Sequence, residues 1–273
     1  MSNAYSVNIG LNHVDPVHYQ GWDGKLFACV EDAIDINGIA KSLKYKTCTL
    51  LLNENASRKK VISRISALAG KLKAGDLFLL SYSGHGGQVP DIHFDETDRM
   101  DETWCLYDGQ MLDDELKQLW LKFRPGVHII VLSDSCHSGT VTRMPVAPGA
   151  NNGNGNRLAR SMPWEVARRT YKANQMFYNE LMETDQNKFA SGDIKATVRL
   201  ISGCRDDQTS ADGEDNGLFT GMLLRVWNSG NFSGNWVRFH KSILRLMPPE
   251  QTPQHNVIGK SDPSWNAMRP FDF

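Results

Sequence analysis

Long apolar runs are missing from the 273-residue sequence: none approaches the roughly 18 residues that cross a bilayer, so no membrane partner is expected. The N-terminus lacks the basic-then-apolar order of a secretory leader. Neither sign of charge prevails. Thirty Lys and Arg against 31 Asp and Glu leave a net charge of −1, which gives no general pull toward nucleic acid. Cysteine is sparse, with Cys29, Cys48, Cys105, Cys136 and Cys204, and no spacing has the close CxxC form of a zinc or redox motif. An odd set of scattered thiols fits a reducing compartment, and a cytoplasmic location is expected. What is present is a core: 40% of the residues are hydrophobic, enough for one large α/β domain.

Short apolar runs alternate with helical periodicity. Tyr5–Leu11, Thr47–Leu52, Leu77–Ser83, Val127–Ser133 and Val198–Ser202 read as strands. Between them, Glu31–Leu43, a helix capped by Ser57 and running through Leu72, and a helix from Asp113 or Asp114 to about Lys122 carry apolar residues on one face. Pro163–Asp185 reads as a helical excursion, and Leu218–Trp227 and Trp236–Met247 as further helices. Continuous apolar strands alternating with helices predict a mostly parallel central sheet covered on both faces, a three-layer α/β sandwich. The Asn/Gly-rich stretch 147–156 cannot bury a core and separates a larger part, about 1–145, from an insertion, 146–195, and a smaller part, 196–273. One helix pair beside one strand is little to build a second core from, so a single domain with a shared sheet is expected over 1–273.

Two side chains stand where such a sheet builds its sites, beyond the carboxyl ends of strands. His85 lies in Ser83-Gly84-His85-Gly86-Gly87 after the third strand, and Cys136 lies in Asp134-Ser135-Cys136-His137 after the fourth. A thiol is mostly protonated at neutral pH, and an imidazole beside it takes the proton or stabilises the thiolate. The N–H groups of Gly86 and Cys136 are candidates for an oxyanion hole. No third orienting group is evident, so the expectation is a dyad. His137 is a rival base, but neighbouring residues on extended chain point to opposite sides. Taken alone, His85 reads equally well as a structural histidine and Cys136 as a buried thiol; together they define a nucleophile and its base.

These segments resemble the caspase-like clan of cysteine peptidases, and metacaspases in particular. The resemblance rests on Ser81–Gln88 (SYSGHGGQ), Asp95–Thr103, Asp134–Gly139 (DSCHSG), Leu26–Ala33 (LFACVEDA) and Ile201–Asp212 followed by Gly217–Thr220. The 51 residues from His85 to Cys136 fit the caspase-type order of His about 50 ahead of Cys. The QAC-type motif of true caspases is absent. The resemblance implies a caspase-like sandwich and hydrolysis of peptide bonds after Arg or Lys through a thioester acyl-enzyme. Peptides or proteins carrying those residues would be the partners, and the protein would be a monomer with no required cofactor. It places the specificity pocket at Cys29, Asp32, Ser83 and Asp134. The residues point the same way. Asp134 shares a face with Cys136 at i, i+2, and two carboxylates in a partly desolvated pocket favour a cation. Asp32 also reads as a helix first-turn acid, and Asp134 as a turn former.

Acidic residues crowd between Asp91 and Asp114, a density that suits Ca²⁺. The resemblance picks out Asp101, Asp113 and Asp114 as possible ligands, although Arg143 replaces the further Asp of that family seven residues past the cysteine. A solvated acidic loop is an equal reading. Arg143, Arg157 and Arg160, in or beside the Asn/Gly stretch, suggest self-cleavage. Two other readings remain open: a catalytically silent caspase-like interaction domain, and a thiol amidase acting on small substrates.

Overall fold

Two periods of side-chain alternation build the molecule. In the third strand, Phe78, Leu80 and Tyr82 join one buried cluster, while Leu77 and Leu79 join another on the opposite face. The computed structural model describes residues 2–90, 100–136, 158–189, 193–205 and 208–273. A six-stranded sheet has the order β2-β1-β3-β7-β8-β9, from β1 (Ala4–Gly10), β2 (Thr47–Leu52), β3 (Leu77–Ser83), β7 (His128–Asp134), β8 (Thr197–Ser202) and β9 (Gln254–Gly259). All its pairings are parallel except that of β9. Helices α2 (Arg58–Lys71) and α3 (Asp113–Leu121) cover one face through Val61, Ile65, Leu119 and Trp120. Helices α1 (Cys29–Ser42), α6 (Leu218–Trp227) and α7 (Trp236–Leu244) cover the other through Ile36, Phe219, Leu223, Trp236 and Phe239. The predicted three-layer sandwich is therefore the fold, and β8 from the C-terminal part extends the sheet of the N-terminal part.

Local signals explain the helix starts. The Ser57 hydroxyl accepts from the Lys60 amide at 3.4 Å and caps α2, a contact that stabilises a helix by about 1 kcal/mol. Glu115, at the third position of α3, accepts from the Leu112 amide at 3.0 Å and also receives the Arg58 guanidinium at 2.7 Å. Asp262 caps a last short helix, α8 (Pro263–Ala267), through the amides of Ser264 and Trp265. The expected helical excursion is two helices, α4 (Trp164–Ala173) and α5 (Gln175–Phe189), parted at Asn174.

Two features went unread in the sequence. A small antiparallel sheet, β4 (Gly86–Pro90), β5 (Met100–Leu106) and β6 (Gly109–Leu112), follows directly from His85. Strand β9 closes the large sheet with Asn256, Val257 and Ile258 exposed, so it lacks the apolar run that marks the central strands. No described helix is long and apolar enough to cross a membrane.

Candidate functional site

Strands β3 and β7 lie side by side in register, with Ser83 opposite Asp134. His85 and Cys136 each follow two residues later, so one pairing fixes where both leave the sheet. Both are buried. The His85 Nε2 lies 3.1 Å from the Gly24 carbonyl oxygen, and its ring packs against Trp22 with centroids 4.7 Å apart. A carbonyl only accepts, so Nε2 carries the proton and Nδ1 holds the lone pair. Nδ1 is buried without a hydrogen-bond partner. Burial lowers the pKa of His85 to about 4, opposed by the Gly24 carbonyl and the nearby Ser161 backbone. The imidazole is thus neutral at physiological pH, with a free lone pair. The Gly24 carbonyl is the orienting group that no side-chain pattern announces.

The cleft holds a segment of the same chain. Residues 158–162 run between two backbone edges. The Arg160 amide donates to the Ser210 carbonyl at 3.0 Å, and the Asp212 amide to the Leu158 carbonyl at 2.8 Å. The Met162 amide donates to the Gly86 carbonyl at 2.8 Å. Between these anchors the Arg160 carbonyl oxygen receives two amides, from Gly86 at 3.0 Å and from Cys136 at 3.2 Å. The two N–H groups singled out in the sequence therefore converge on one oxygen, while Cys136 Sγ meets the amide and carbonyl of Ser210.

The Arg160 side chain is fully buried in an anionic pocket. Its Nη2 lies 2.7 Å from Asp32 and 2.9 Å from Asp212, and its Nη1 2.9 Å from Asp134. Nη1 also donates to Ser83 Oγ at 2.8 Å, and Nε to Asp212 at 3.3 Å. Each carboxylate is held from behind. Asp32 accepts from Ser83 Oγ at 2.7 Å and the Gly217 amide at 2.9 Å. Asp134 accepts from the Thr220 amide at 3.1 Å and hydroxyl at 2.8 Å, and from Ser210 Oγ. Asp212 accepts from the amides of Phe27 and Ala28 at 2.7 and 3.3 Å. Burial pushes Asp32 up to about 6, partly countered by Arg160 and reinforced by Asp134. Burial alone would depress the Arg160 guanidinium; the surrounding anions, Asp134 foremost, instead hold it well above its ordinary value. Cys29 lies at the same place, its thiol pushed up by burial.

All four pocket positions expected from the sequence thus surround one guanidinium. Asp212 is the member not assigned there, though it closes the segment that carried the resemblance. The expected calcium ligands behave differently. Asp113 and Asp114 both pair with Lys117, at 3.0 and 2.8 Å, and Asp101 is buried within β5. No group of three or more His, Cys, Asp or Glu that would hold a metal occurs among the described residues. Asp91, Asp95, Glu96, Asp98, His137, Arg143 and Arg157 lie outside the described residues. Trp22 borders the site, Trp104 donates to Ser133 at 3.0 Å within the core, and Trp265 packs far off against His128.

A buried thiol and imidazole thus stand at adjacent strand ends of a three-layer sandwich. The caspase domain model matches residues 14–271, and the chain belongs to that family. Its relatives are metacaspases. Metacaspase-1 of Saccharomyces cerevisiae (strain ATCC 204508 / S288c) is 28% identical over 247 residues, covering 77% of this chain and 56% of that protein. Metacaspase-1 of Schizosaccharomyces pombe is 28% identical over 242 residues, covering 76% and 56%. The chain spans little more than half the length of these relatives. Among solved structures, a crystal structure of a protein from Geobacter sulfurreducens superposes with a TM-score of 0.88 at 49% identity, covering 98% of each chain. Caspase-1 from Spodoptera frugiperda has a TM-score of 0.55 at 9% identity, covering 94% of this chain and 86% of that one, which shows the shared fold.

Proposed function

We propose that the chain is a cysteine endopeptidase that cuts after Arg, and less readily after Lys, with Cys136 as nucleophile and His85 as proton carrier. One observation carries this reading: the carbonyl of a buried arginine accepts both the Gly86 and Cys136 amides while three carboxylates enclose its side chain. In this reading Arg160–Ser161 occupies the place of a substrate's scissile bond. Its flanking residues add a strand to the cleft, as extended peptides do in many recognition sites.

The chemistry follows from the positions. His85 takes the Cys136 proton, and the thiolate attacks the Arg160 carbonyl carbon. The oxyanion that forms gains the Gly86 and Cys136 amides, donors fixed before the charge appears. His85 then protonates the departing Ser161 nitrogen, leaving a thioester that water hydrolyses. The same bond is the self-cleavage position within the Arg143–Arg160 region. Calcium has no part in this mechanism. A silent interaction domain has no use for a neutral imidazole with a free lone pair, and a small-substrate amidase has none for backbone anchors on both sides of a bond.

Short fluorogenic peptides ending in Arg, Lys or Asp test the proposal, using wild type, Arg160→Ala to vacate the pocket, and Cys136→Ala as control, with and without Ca²⁺. Arg160→Ala should hydrolyse Arg and Lys peptides, wild type should do so more slowly because its own Arg160 fills the pocket, and Cys136→Ala should hydrolyse neither. Hydrolysis of the Asp peptide alone would refute the pocket, and no turnover would favour the rival readings. Gly86→Ala should abolish turnover in the same assay, because a methyl group there overlaps the Cys136 carbonyl. Normal activity would remove Gly86 from the site.

A further inference from the structure

The residue on the leaving side of Arg160–Ser161 is held as firmly as the arginine. Ser161 bridges to Gly86, and the Met162 amide bonds the Gly86 carbonyl at 2.8 Å. The Met162 side chain is 2% exposed and packs in the main core. Pro163 then opens α4, whose Val166 and Ala167 belong to the same core. Beyond it, Tyr178 of α5 is fully buried, 2.7 Å from His18 Nε2 and 3.2 Å from the Gln110 amide. None of these contacts depends on the Arg160–Ser161 bond. Cutting it leaves the new amine where it was formed.

We infer that the site also runs in reverse as a peptide ligase on its own chain, resealing Arg160–Ser161. This rests on the reading of Cys136 as nucleophile. When the thioester forms, the C–N bond breaks and Ser161 becomes a free α-amine. Its ordinary pKa is near 8, so a sizeable fraction is unprotonated at neutral pH. The amine attacks the thioester carbon, loses its proton to His85, and the C–S bond breaks to restore thiolate and amide. Water competes for the same carbon. Groups held in this way reach effective concentrations on the order of 10⁵–10⁸ M. Arg160 and Cys136 are fully buried and His85 is 6% exposed, so water has poor access to the carbon the amine faces. When water does win, the Arg160 carboxylate stays in its pocket. The Cys136 thiol then re-forms the thioester with the protonated Arg160 carboxyl group, the thiol proton passing through His85 to the hydroxyl that leaves as water, and the amine closes the bond.

Isotope incorporation tests this. Wild-type protein is incubated in H₂¹⁸O, and a peptide spanning residues 158–164 is released with pepsin, which avoids the exchange that trypsin causes at arginine. Intact chains should acquire ¹⁸O at the Arg160 carbonyl, and Cys136→Ala should acquire none. Met162→Ala and Met162→Asp free the amine and should shift the population severalfold toward cut chains. If cut chains accumulate while intact chains stay unlabelled, hydrolysis is one-way and the ligase inference fails. If Arg160→Ala hydrolyses Arg peptides but the wild-type chain is neither cut nor labelled, the inference again fails and the peptidase reading stands. Absence of labelling, cutting and peptide turnover would remove both.

Discussion

Arg160→Ala is expected to be markedly less stable than the wild type, and the deficit should grow with pH. Three carboxylates converge within 3 Å of the guanidinium nitrogens, and all are almost inaccessible to solvent. Removing the cation leaves buried anions without a counter-charge, a change that costs about 3–5 kcal/mol. In a chain of this size that lowers Tm by roughly 10 °C. The pH sign follows from the carboxyls. Asp32 already sits at about 6 with Arg160 present, and losing the cation moves it higher. A carboxyl raised in the folded state contributes stability that is fully present below its unfolded value near 3.8. That contribution is lost as pH rises through the folded value. The variant should therefore approach wild type near pH 4 and fall behind above pH 6. A short alkylguanidine fills the vacancy and should restore Tm in proportion to the logarithm of its concentration, an alkylamine of equal length less so. The measurement is thermal unfolding from pH 4 to 8 with and without each compound. A variant as stable as wild type, with no response to guanidine, would mean that the three anions are not desolvated around Arg160.

How much of this was readable in the sequence follows from which interactions are local. Strands β1, β3 and β7 are buried on both faces, so their apolar runs are continuous and their ends could be placed within a residue. That placement delivered His85 and Cys136, because a side chain two residues past a buried parallel strand has one direction to go. Asp32, Ser83 and Asp134 were legible from motif and face. Other parts of the site are tertiary and leave no local trace. The Gly24 carbonyl is backbone, and its residue carries no signal. Asp212 meets Phe27 and Ala28 across most of the chain, so its place depends on the packing of α1 against the C-terminal part. Arg160 was singled out as one basic residue beside a loop. That it folds back into the pocket follows from Met162, Val166 and Ala167 anchoring its far side in the core. Asp113 and Asp114 show the opposite limit: acid density is visible in the sequence, but their shared cationic neighbour Lys117, at i+4 and i+3, is seen only once the helix is formed.

The pocket's three carboxylates are not equivalent, and the expected consequence is a separation of arginine from lysine recognition. Asp134 and Asp32 meet the terminal nitrogens of the guanidinium, the region a lysine ammonium also reaches. Asp212 takes both Nη2 and Nε, along an edge of the planar fork that lysine lacks. In an Arg160→Ala background, Asp134→Asn should lower kcat/KM for Arg and Lys peptides alike by about 10³-fold. That corresponds to the cost of breaking a buried charged pair. Asp212→Asn should lower the Arg peptide about 10²-fold and the Lys peptide about tenfold or less, since only arginine loses a charged hydrogen bond to its fork. The asparagine keeps one oxygen to accept from Phe27 or Ala28, so the start of α1 stays anchored. Equal losses on both peptides in Asp212→Asn would assign that residue a purely structural role. Undiminished turnover of both peptides in Asp134→Asn would move the cation site away from the strand end that carries Cys136.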